Sequence, residues 1–250
     1  MCPNTENDRT LSKNRINNFL LRVDLVNNSD LNLIETAEAL SESFDRTEKR
    51  IIDNVTVNFT QHQHDLDRNK SLNYVLFSDT ESITLTFSEH ENAFWIQSSK
   101  YKNNLAYKSF IKLIINEISK HCDTIEAKRI GLRYINEFNC NTIRKISSIF
   151  GRRLSGITRS MLKNTNNVRV IGVEEYYDKE SSKRLRLQYG IPNEFYPSNI
   201  STYDLLLDID SYIEDTIKIT DFEDTISDLN HSAYNIFINE TNPKLIERLK

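Results

Sequence analysis

Three aspartates at even spacing are the side chains in this sequence best arranged for chemistry. They are Asp204, Asp208 and Asp210, and on a strand they would share one face because alternate side chains point to opposite sides. Carboxylates at this spacing can hold Mg²⁺ for phosphoryl or nucleotidyl transfer. The wet face of a half-buried strand has the same alternation and is much more common than a metal site. These aspartates are therefore weak candidates for binding a metal ion. We predict that the protein has no cofactor.

A second group of metal-binding residue types lies in residues 62–67, which contain two histidines and two aspartates. His62 and His64 would share a face if this segment were a strand. A metal site also needs further donors and supporting partners from elsewhere in the fold. The segment leads into the polar residues 68–70, and we favour a solvated loop over a metal site.

Two other spacings resemble catalytic motifs but each lacks something that the motif requires. Residues 151–158 have the glycine spacing of a phosphate-binding loop, but Ile157 stands where the lysine is needed. Ser160 and Lys163 match a serine-acylase spacing, which occurs by chance when no companion motif is present. We therefore predict no catalytic residue.

The charges of the chain are unevenly distributed. No acidic residue lies between Glu137 and Glu174, whereas the chain from residue 203 onward is rich in acids, which predicts separate basic and acidic patches. The net charge of −4, and Phe150 as the single aromatic residue of 144–169, favour an acidic protein or a second copy as partner. Nucleic acid stays an alternative for this segment. The cations predicted to contact the partner are Arg144, Lys145, Arg152, Arg153, Arg159 and Lys163.

Arg133 lies in a predicted strand, on a face that is otherwise suited to burial. A buried guanidinium requires a carboxylate or a phosphate as its partner. We favour an internal ion pair, with Asp24 or with one of the acids of residues 202–212, because arginines that brace a sheet are common. A contact between Arg133 and a ligand is the alternative.

Hydropathy periodicity predicts an α+β fold with two antiparallel-sheet halves, each backed by a long amphipathic helix in a helix-on-sheet layer. This arrangement could reflect a duplication. Residues 1–15 are predicted to be disordered, residues 16–140 and 168–250 to form the halves, and residues 141–167 to form a helical basic connector within one compact unit. Strands are predicted at residues 19–26, 51–59, 74–77, 82–87, 93–97, 129–138, 168–177, 184–189 and 202–212, and helices at residues 30–44, 107–121, 144–162 and 221–240.

The sequence Gly-Leu-Arg-Tyr-Ile-Asn, residues 131–136, carries the most specific resemblance to a known family. With the opening NNFLLRVDL, the strand LLLDIDSY and the closing helix, it resembles a sporadically distributed, uncharacterised bacterial family of about this length. Members of that family typically end in a helix with a Leu-His pair and a Phe, whereas here Asn230 separates Leu229 from His231. The resemblance implies a fold and a bacterial origin, and it implies no activity.

Composition narrows the class of protein. Cys2, Cys122 and Cys140 are an odd number without C-x-x-C spacing, which indicates a reducing compartment rather than a disulfide framework. No apolar run approaches the 18 or so residues of a membrane span, and the polar first 15 residues do not resemble a signal peptide. We therefore expect a cytoplasmic protein without membrane contact.

Two hypotheses about function follow from these observations. The favoured one is a non-catalytic binding or regulatory protein, for instance an antitoxin-like or phage-defence-associated subunit, that acts through protein contacts or self-association. The alternative is a metal-dependent enzyme that acts on nucleotide or nucleic-acid phosphates through Asp204, Asp208 and Asp210.

Overall fold

The computed structural model describes residues 16–27, 31–59, 64–101, 104–120, 125–140, 142–162 and 166–249, and all of their side chains except those of 53–59, 64–69 and 104–106. The predicted α+β class is confirmed, because the described residues form ten strands and six α-helices. The N-terminal segment predicted to be disordered lies outside the described residues.

The strands follow the alternation of apolar and polar residues, and several are longer than the sequence predicts. The ends of these strands are polar and lack the alternation of apolar and polar residues, so hydropathy does not predict them as strand. The strands are β1 (Ile16–Leu25), β2 (Arg46–Phe59), β3 (His64–Ser78), β4 (Ile83–Ser88), β5 (Ala93–Ser98), β6 (Glu126–Phe138), β7 (Val170–Asp178), β8 (Lys183–Ile191), β9 (Leu205–Ile213) and β10 (Ile217–Lys218).

The helices are fewer in the first half of the chain than in the second. A 3₁₀ turn precedes α3 and another precedes α5. The predicted basic connector contains the first of these turns and two short helices separated by Phe150 and Gly151. The helices are α1 (Leu33–Leu40), α2 (Asn104–Ser119), α3 (Ile146–Ile149), α4 (Arg152–Met161), α5 (Phe222–Glu240) and α6 (Pro243–Leu249).

All ten strands join one antiparallel sheet rather than two separate ones. Nine strands follow the order β2-β3-β4-β5-β1-β6-β9-β8-β7, and the short β10 pairs with the start of β6. The central pair is β1 with β6, which lies far away in the sequence. The two halves of the chain therefore meet in the middle of the sheet.

The two halves have corresponding topologies around that central pair. The strand order β3-β4-β5-β1 on one side corresponds to β7-β8-β9-β6 on the other, and β2 is an additional strand of the first half. Leu21 pairs with Leu132, and each is followed by an arginine, Arg22 or Arg133. These two arginines are therefore equivalent under an approximate two-fold axis at this pair.

The hydrophobic core lies between one face of the sheet and the helices. Phe19 stacks on Tyr107 of α2 with ring centroids 4.9 Å apart, and the Tyr134 hydroxyl donates to the side-chain oxygen of Asn230 in α5 at 2.7 Å. Phe19 and Tyr134 are paired across β1 and β6, so their side chains mark the face that the helices cover. The alternate residues of the same strands point away from these helices.

Candidate functional site

Charged side chains follow one another across the centre of the sheet face opposite the helices, here called the open face. Asp24 of β1 pairs in register with Arg129 of β6, and Arg133 of β6 pairs with Asp210 of β9. Asp210 in turn lies beside Arg186 of β8. Because side chains alternate between the two faces, these residues all project to the open face. The arrangement alternates acids and bases over four neighbouring strands, β1, β6, β9 and β8.

Arg22 lies at one end of this face, and hydrogen bonds to β1 and to the turn after β4 hold its side chain. Its Nε and Nη2 atoms donate to one carboxylate oxygen of Asp24 at 2.9 and 2.7 Å. Its Nη2 also donates to Glu91 at 2.6 Å, and the guanidinium lies 5.6 Å from the ring centroid of Trp95. The Arg22 side chain is therefore fixed by two carboxylates.

Arg133 forms a two-point ion pair with Asp208. This aspartate is one of the acids of residues 202–212 that the sequence analysis proposed as its partner. The Arg133 Nε and Nη2 atoms donate to the two oxygens of Asp208 at 2.9 and 2.7 Å. The Asp208 side chain is 5% exposed, whereas the Arg133 side chain is 38% exposed. These hydrogen bonds, above all, raise the pKa of Arg133 above its ordinary value, so its guanidinium stays charged and is a strong donor to Asp208.

Arg129 lies between these two fixed pairs without such a partner. Its guanidinium nitrogens are 3.7 Å from Asp24, 3.8 Å from Asp210 and 3.9 Å from Glu214, distances that are too long for hydrogen bonds. The guanidinium lies over Tyr212, 4.9 Å from the ring centroid. Gly131 leaves room for it, because a Cβ atom there would lie 3.1 Å from Arg129 Nη2.

A recess of about 360 Å³ opens on this face where β1, β6 and β9 meet. Burial raises the pKa of Asp210 above its ordinary value of 3.8, although Arg129 and Arg133 act in the opposite direction. The recess therefore combines three guanidinium groups with two carboxylates in a partly buried setting. It is lined by Leu20, Arg22, Asp24, Arg129, Gly131, Arg133 and Asp210.

Asp204, Asp208 and Asp210 do not form a shared metal site in the structure. Asp204 precedes β9 and accepts a hydrogen bond from Asn139 at 2.9 Å, while Asp208 is bound by Arg133. The side chains within the described ranges contain no group of three or more His, Cys, Asp or Glu able to hold a metal ion. This arrangement gives the metal-dependent enzyme hypothesis no support.

The histidine segment falls partly outside the described residues. His62 is not among them, and for His64, Asp65 and Asp67 the structure describes the backbone but not the side chains. The strand β3 begins at His64, so the predicted loop extends no further than residue 63. The hypothesis of a metal site there stays untested.

The exposed cations of the basic segment occupy α4 and the 3₁₀ turn before α3. Arg152 and Arg159 are exposed and seven residues apart on α4, which is two helical turns and places them on one side of the helix. Arg144 and Lys145 lie in the 3₁₀ turn and are also exposed. None of these four forms an ion pair with any side chain that the structure describes.

Two other cations of this segment have different environments. Arg153 is held by its own chain, because it contacts Glu174 of β7 and Glu240 of α5, each at 2.7 Å. Arg169 lies 4.3 Å from the ring centroid of Tyr196 and donates to the carbonyl oxygen of Pro192. Lys163 lies outside the described residues. A partner could compete for Arg153 only by displacing two carboxylates.

Exposed apolar side chains lie on β7, the strand that α4 contacts. Val173, Tyr176 and Tyr177 are 47%, 47% and 54% exposed. Within the described sheet, β7 pairs with β8 on one side and with no strand on the other. An exposed strand edge of this kind offers both backbone groups and apolar side chains to another chain.

Sequence reasoning singled out Arg133 and Asp210 separately, but it missed the recess because the lining residues are spread between Leu20 and Asp210 in the sequence. Arg22, Arg129 and Asp210 come together only through the pairing of β1 with β6 and of β6 with β9. The shared Leu-Arg of residues 21–22 and 132–133 was the available signal, since it aligns the two central strands.

Comparison with known proteins gave no match for this chain, whether with protein-family models, curated proteins or solved structures. The family resemblance of residues 131–136 therefore stays a prediction, and function must be inferred from the geometry. Among the helices that the structure describes, none has the length and apolar character needed to cross a membrane.

Proposed function

We propose that this chain is a non-catalytic binding protein that docks an acidic protein partner on its α4 and β7 side. The observation that carries the proposal is the contrast between two sets of arginines. Arg22 and Arg133 on the sheet are each held by a carboxylate, whereas Arg152 and Arg159 on α4 are exposed and have no described ion-pair partner. Two unpaired cations on one side of a helix form a positive patch, and an acidic partner would complement its charge.

Exposed Tyr176, which shares the α4 side of β7 with Glu174, favours protein over nucleic acid as the partner, whereas Val173 and Tyr177 project to the open face. Arg153 links α4 to β7 through Glu174, so the helix and the strand lie side by side. Arginine with exposed tyrosine is a composition enriched in protein interfaces. A nucleic-acid surface would instead need a broad basic face, and this chain has a net charge of −4.

A second copy of the chain is one partner with the required charge. The first residues of α5 and the 3₁₀ turn before it include the exposed acids Asp221, Glu223 and Asp224. Of these, Glu223 contacts Lys112 at a long 3.4 Å, and such exposed pairs contribute little and are readily exchanged. Self-association would therefore join the basic α4 of one copy to the acidic start of α5 in another.

Charge reversal on α4 tests the proposal. The double variant Arg152→Glu and Arg159→Glu changes the two cations and leaves Arg153 and its ion pairs intact. The matched control is Lys100→Glu with Lys128→Glu, two exposed lysines elsewhere on the chain that give the same change in net charge. Each protein is tagged, purified from its native cells at low and moderate salt, and sized by light scattering.

We expect the α4 variant to lose its co-purifying protein, or its dimer, while the control keeps it. Moderate salt should weaken the wild-type assembly because exposed charges are screened within about 10 Å at 0.1 M. If the α4 variant keeps its assembly state and partners but loses retention on DNA or RNA, the proposal is wrong and the surface binds nucleic acid.

A further inference from the structure

The open-face recess contains one donor group and one acceptor group that the described residues leave without hydrogen bonds. Arg129 has five N–H donors, yet its nearest carboxylate oxygens are 3.7 to 3.9 Å away. Asp210 makes no hydrogen bond to a described side chain, and its closest ion contact is Arg129 at 3.8 Å. Their side chains are 27% and 21% exposed, so both groups are accessible from the recess while being largely out of water.

The arginines beside Arg129 and Asp210 in the recess are held by their own hydrogen bonds. Arg22 is fixed by Asp24 and Glu91, and Arg133 is fixed by both oxygens of Asp208. These side chains come from the two central strands of the sheet. A site whose surrounding groups are held by their own hydrogen bonds binds a ligand with little loss of side-chain freedom.

The mixed charges of the recess disfavour binding of a ligand that carries a single charge. Three arginines line it, and their charge is balanced by Asp24, by Asp210 and by Asp208, which holds Arg133. An anion placed beside Arg129 would also face Asp24 and Asp210, while a cation placed beside Asp210 would face Arg129. A ligand with separated opposite charges and no net charge meets both groups without either repulsion.

We propose that this recess binds a compact zwitterion of the amino-acid type, with its carboxylate on Arg129 and its ammonium group on Asp210. A guanidinium binds a carboxylate through two parallel hydrogen bonds, and an ammonium group supplies the donors that Asp210 lacks. The ligand's ammonium group would also offset the cost of burying the charge of Asp210. At about 360 Å³, the recess is near the small end of ligand sites, which suits a compact molecule.

This site is separate from the proposed docking surface. The recess is formed by β1, β6 and β9, whereas the docking surface is formed by α4 and β7 at the end of the sheet. The inference therefore does not rest on the proposed function, and either can fail without the other.

The binding test uses the common amino acids as probes, each at about 10 mM, because a ligand of the native state raises the melting temperature when present above its Kd. Sodium acetate and methylammonium chloride, which carry one charge each, are the controls. We expect at least one amino acid to raise the melting temperature by several degrees and to shift the amide NMR signals of Gly131 and Asp210. Neither control should do so alone. If no amino acid shifts these signals, or if acetate acts equally well alone, the proposal is wrong.

Two substitutions locate the binding groups. Arg129→Gln and Asp210→Asn should each weaken binding of the responding amino acid at least tenfold by calorimetry, because each removes one charged contact. Arg50→Gln is the matched control, since Arg50 contacts Glu48 within β2, at the far end of the sheet, and does not line the recess. Equal affinity in Asp210→Asn and wild type would overturn the assignment. If Arg129→Gln does not fold, the NMR shifts at Gly131 and Asp210 in the wild type decide the question.

Discussion

The ion pair between Arg133 and Asp208 allows a specific prediction about stability. Arg133→Ala leaves Asp208, which is 5% exposed, without its two hydrogen bonds. We expect the free energy of unfolding to fall by about 2–4 kcal/mol, because an uncompensated buried charge is costly. Urea unfolding measures the loss. Lys112→Ala is the control, since its exposed contact with Glu223 should be worth less than about 1 kcal/mol.

A second substitution identifies the cause of this loss. Adding Asp208→Asn to Arg133→Ala removes the buried charge, so the double variant should recover part of the lost stability. An Arg133→Ala variant as stable as the wild type would show that Arg133 does not brace the sheet, and a loss of ligand or partner binding in that variant would make it a contact residue.

Asp210 should make the free energy of unfolding decrease as the pH rises. A typical aspartate in an ion pair has the opposite effect. Burial, opposed by Arg129, Arg133 and Arg186, raises its pKa in the folded state above 3.8, so the fold favours its protonated form. This contribution is fully present below pH 3.8 and is lost as the pH rises through the folded-state pKa. Asparagine is neutral throughout, so Asp210→Asn should gain stability relative to the wild type between about pH 4 and pH 7.

Urea unfolding of both proteins at the two pH values measures this difference. The unliganded protein must be used, because a bound zwitterion would favour the ionised carboxylate. A difference that stays constant with pH, or that falls as the pH rises, would show that Asp210 is no harder to ionise in the fold than in the unfolded chain.

The glycines of two elements illustrate opposite backbone requirements. Gly156 is exposed within α4, and a Cβ atom there would meet no atom within 4 Å. Gly156→Ala should therefore raise the free energy of unfolding by roughly 0.5–1 kcal/mol through higher helix propensity. Thermal unfolding measures this gain. Unchanged or lower stability would mean that the helix is not formed at this position.

The matched contrast is Gly190 of β8. Its φ of 131° suits glycine, and a Cβ atom there would lie 2.1 Å from the carbonyl oxygen of Val170. Gly190→Ala should therefore cost about 3 kcal/mol or more, because it combines backbone strain with a direct clash.

The elements show how far a single sequence predicts this fold. The apolar residues of β1 and of β4 to β9 located these strands, whereas the polar residues at the start of β2, such as Glu48 and Arg50, concealed that start. The start of α1 was also misplaced. The predicted helix begins at residue 30, whereas α1 begins at Leu33, where Asn32 accepts from the backbone N–H groups of Ile34 and Glu35. Such a cap depends on local geometry that hydropathy does not report.

The pairing of distant strands explains why the recess could not be predicted as a unit. A hydropathy pattern shows that a strand has one buried face, but it does not show which strand lies beside it or in what register. Arg133 was recognised as a residue in need of an acid, and the choice among several acids depended on the register of β6 with β9. The sequence did not indicate that Arg129 needs an acidic partner, because its neighbours Lys128 and Ile130 are typical of the end of a strand.

At the scale of the whole molecule, the open face and the α4 side differ in how their charges are balanced. The central sheet places arginines among acids of its own chain, so that face is close to neutral and suits a ligand without net charge. Arg152 and Arg159 of α4 have no ion-pair partner among the described residues. The uneven charge distribution in the sequence therefore corresponds to one internally balanced surface and one whose exposed arginines are unpaired within the described chain.

The absence of a metal group among the described side chains leads to a prediction for the whole protein. Excess EDTA should leave the melting temperature unchanged to within a few degrees, because Asp208 is bound by Arg133 and structural metals, where present, supply folding free energy directly. Calorimetry with and without the chelator measures this. A larger fall that one divalent ion reverses would indicate a metal site, and the residues to test first are His62 and His64. If His62→Ala with His64→Ala abolished the effect of the ion, the metal would belong to residues 62–67; if it did not, the open-face carboxylates Asp24 and Asp210 would be next.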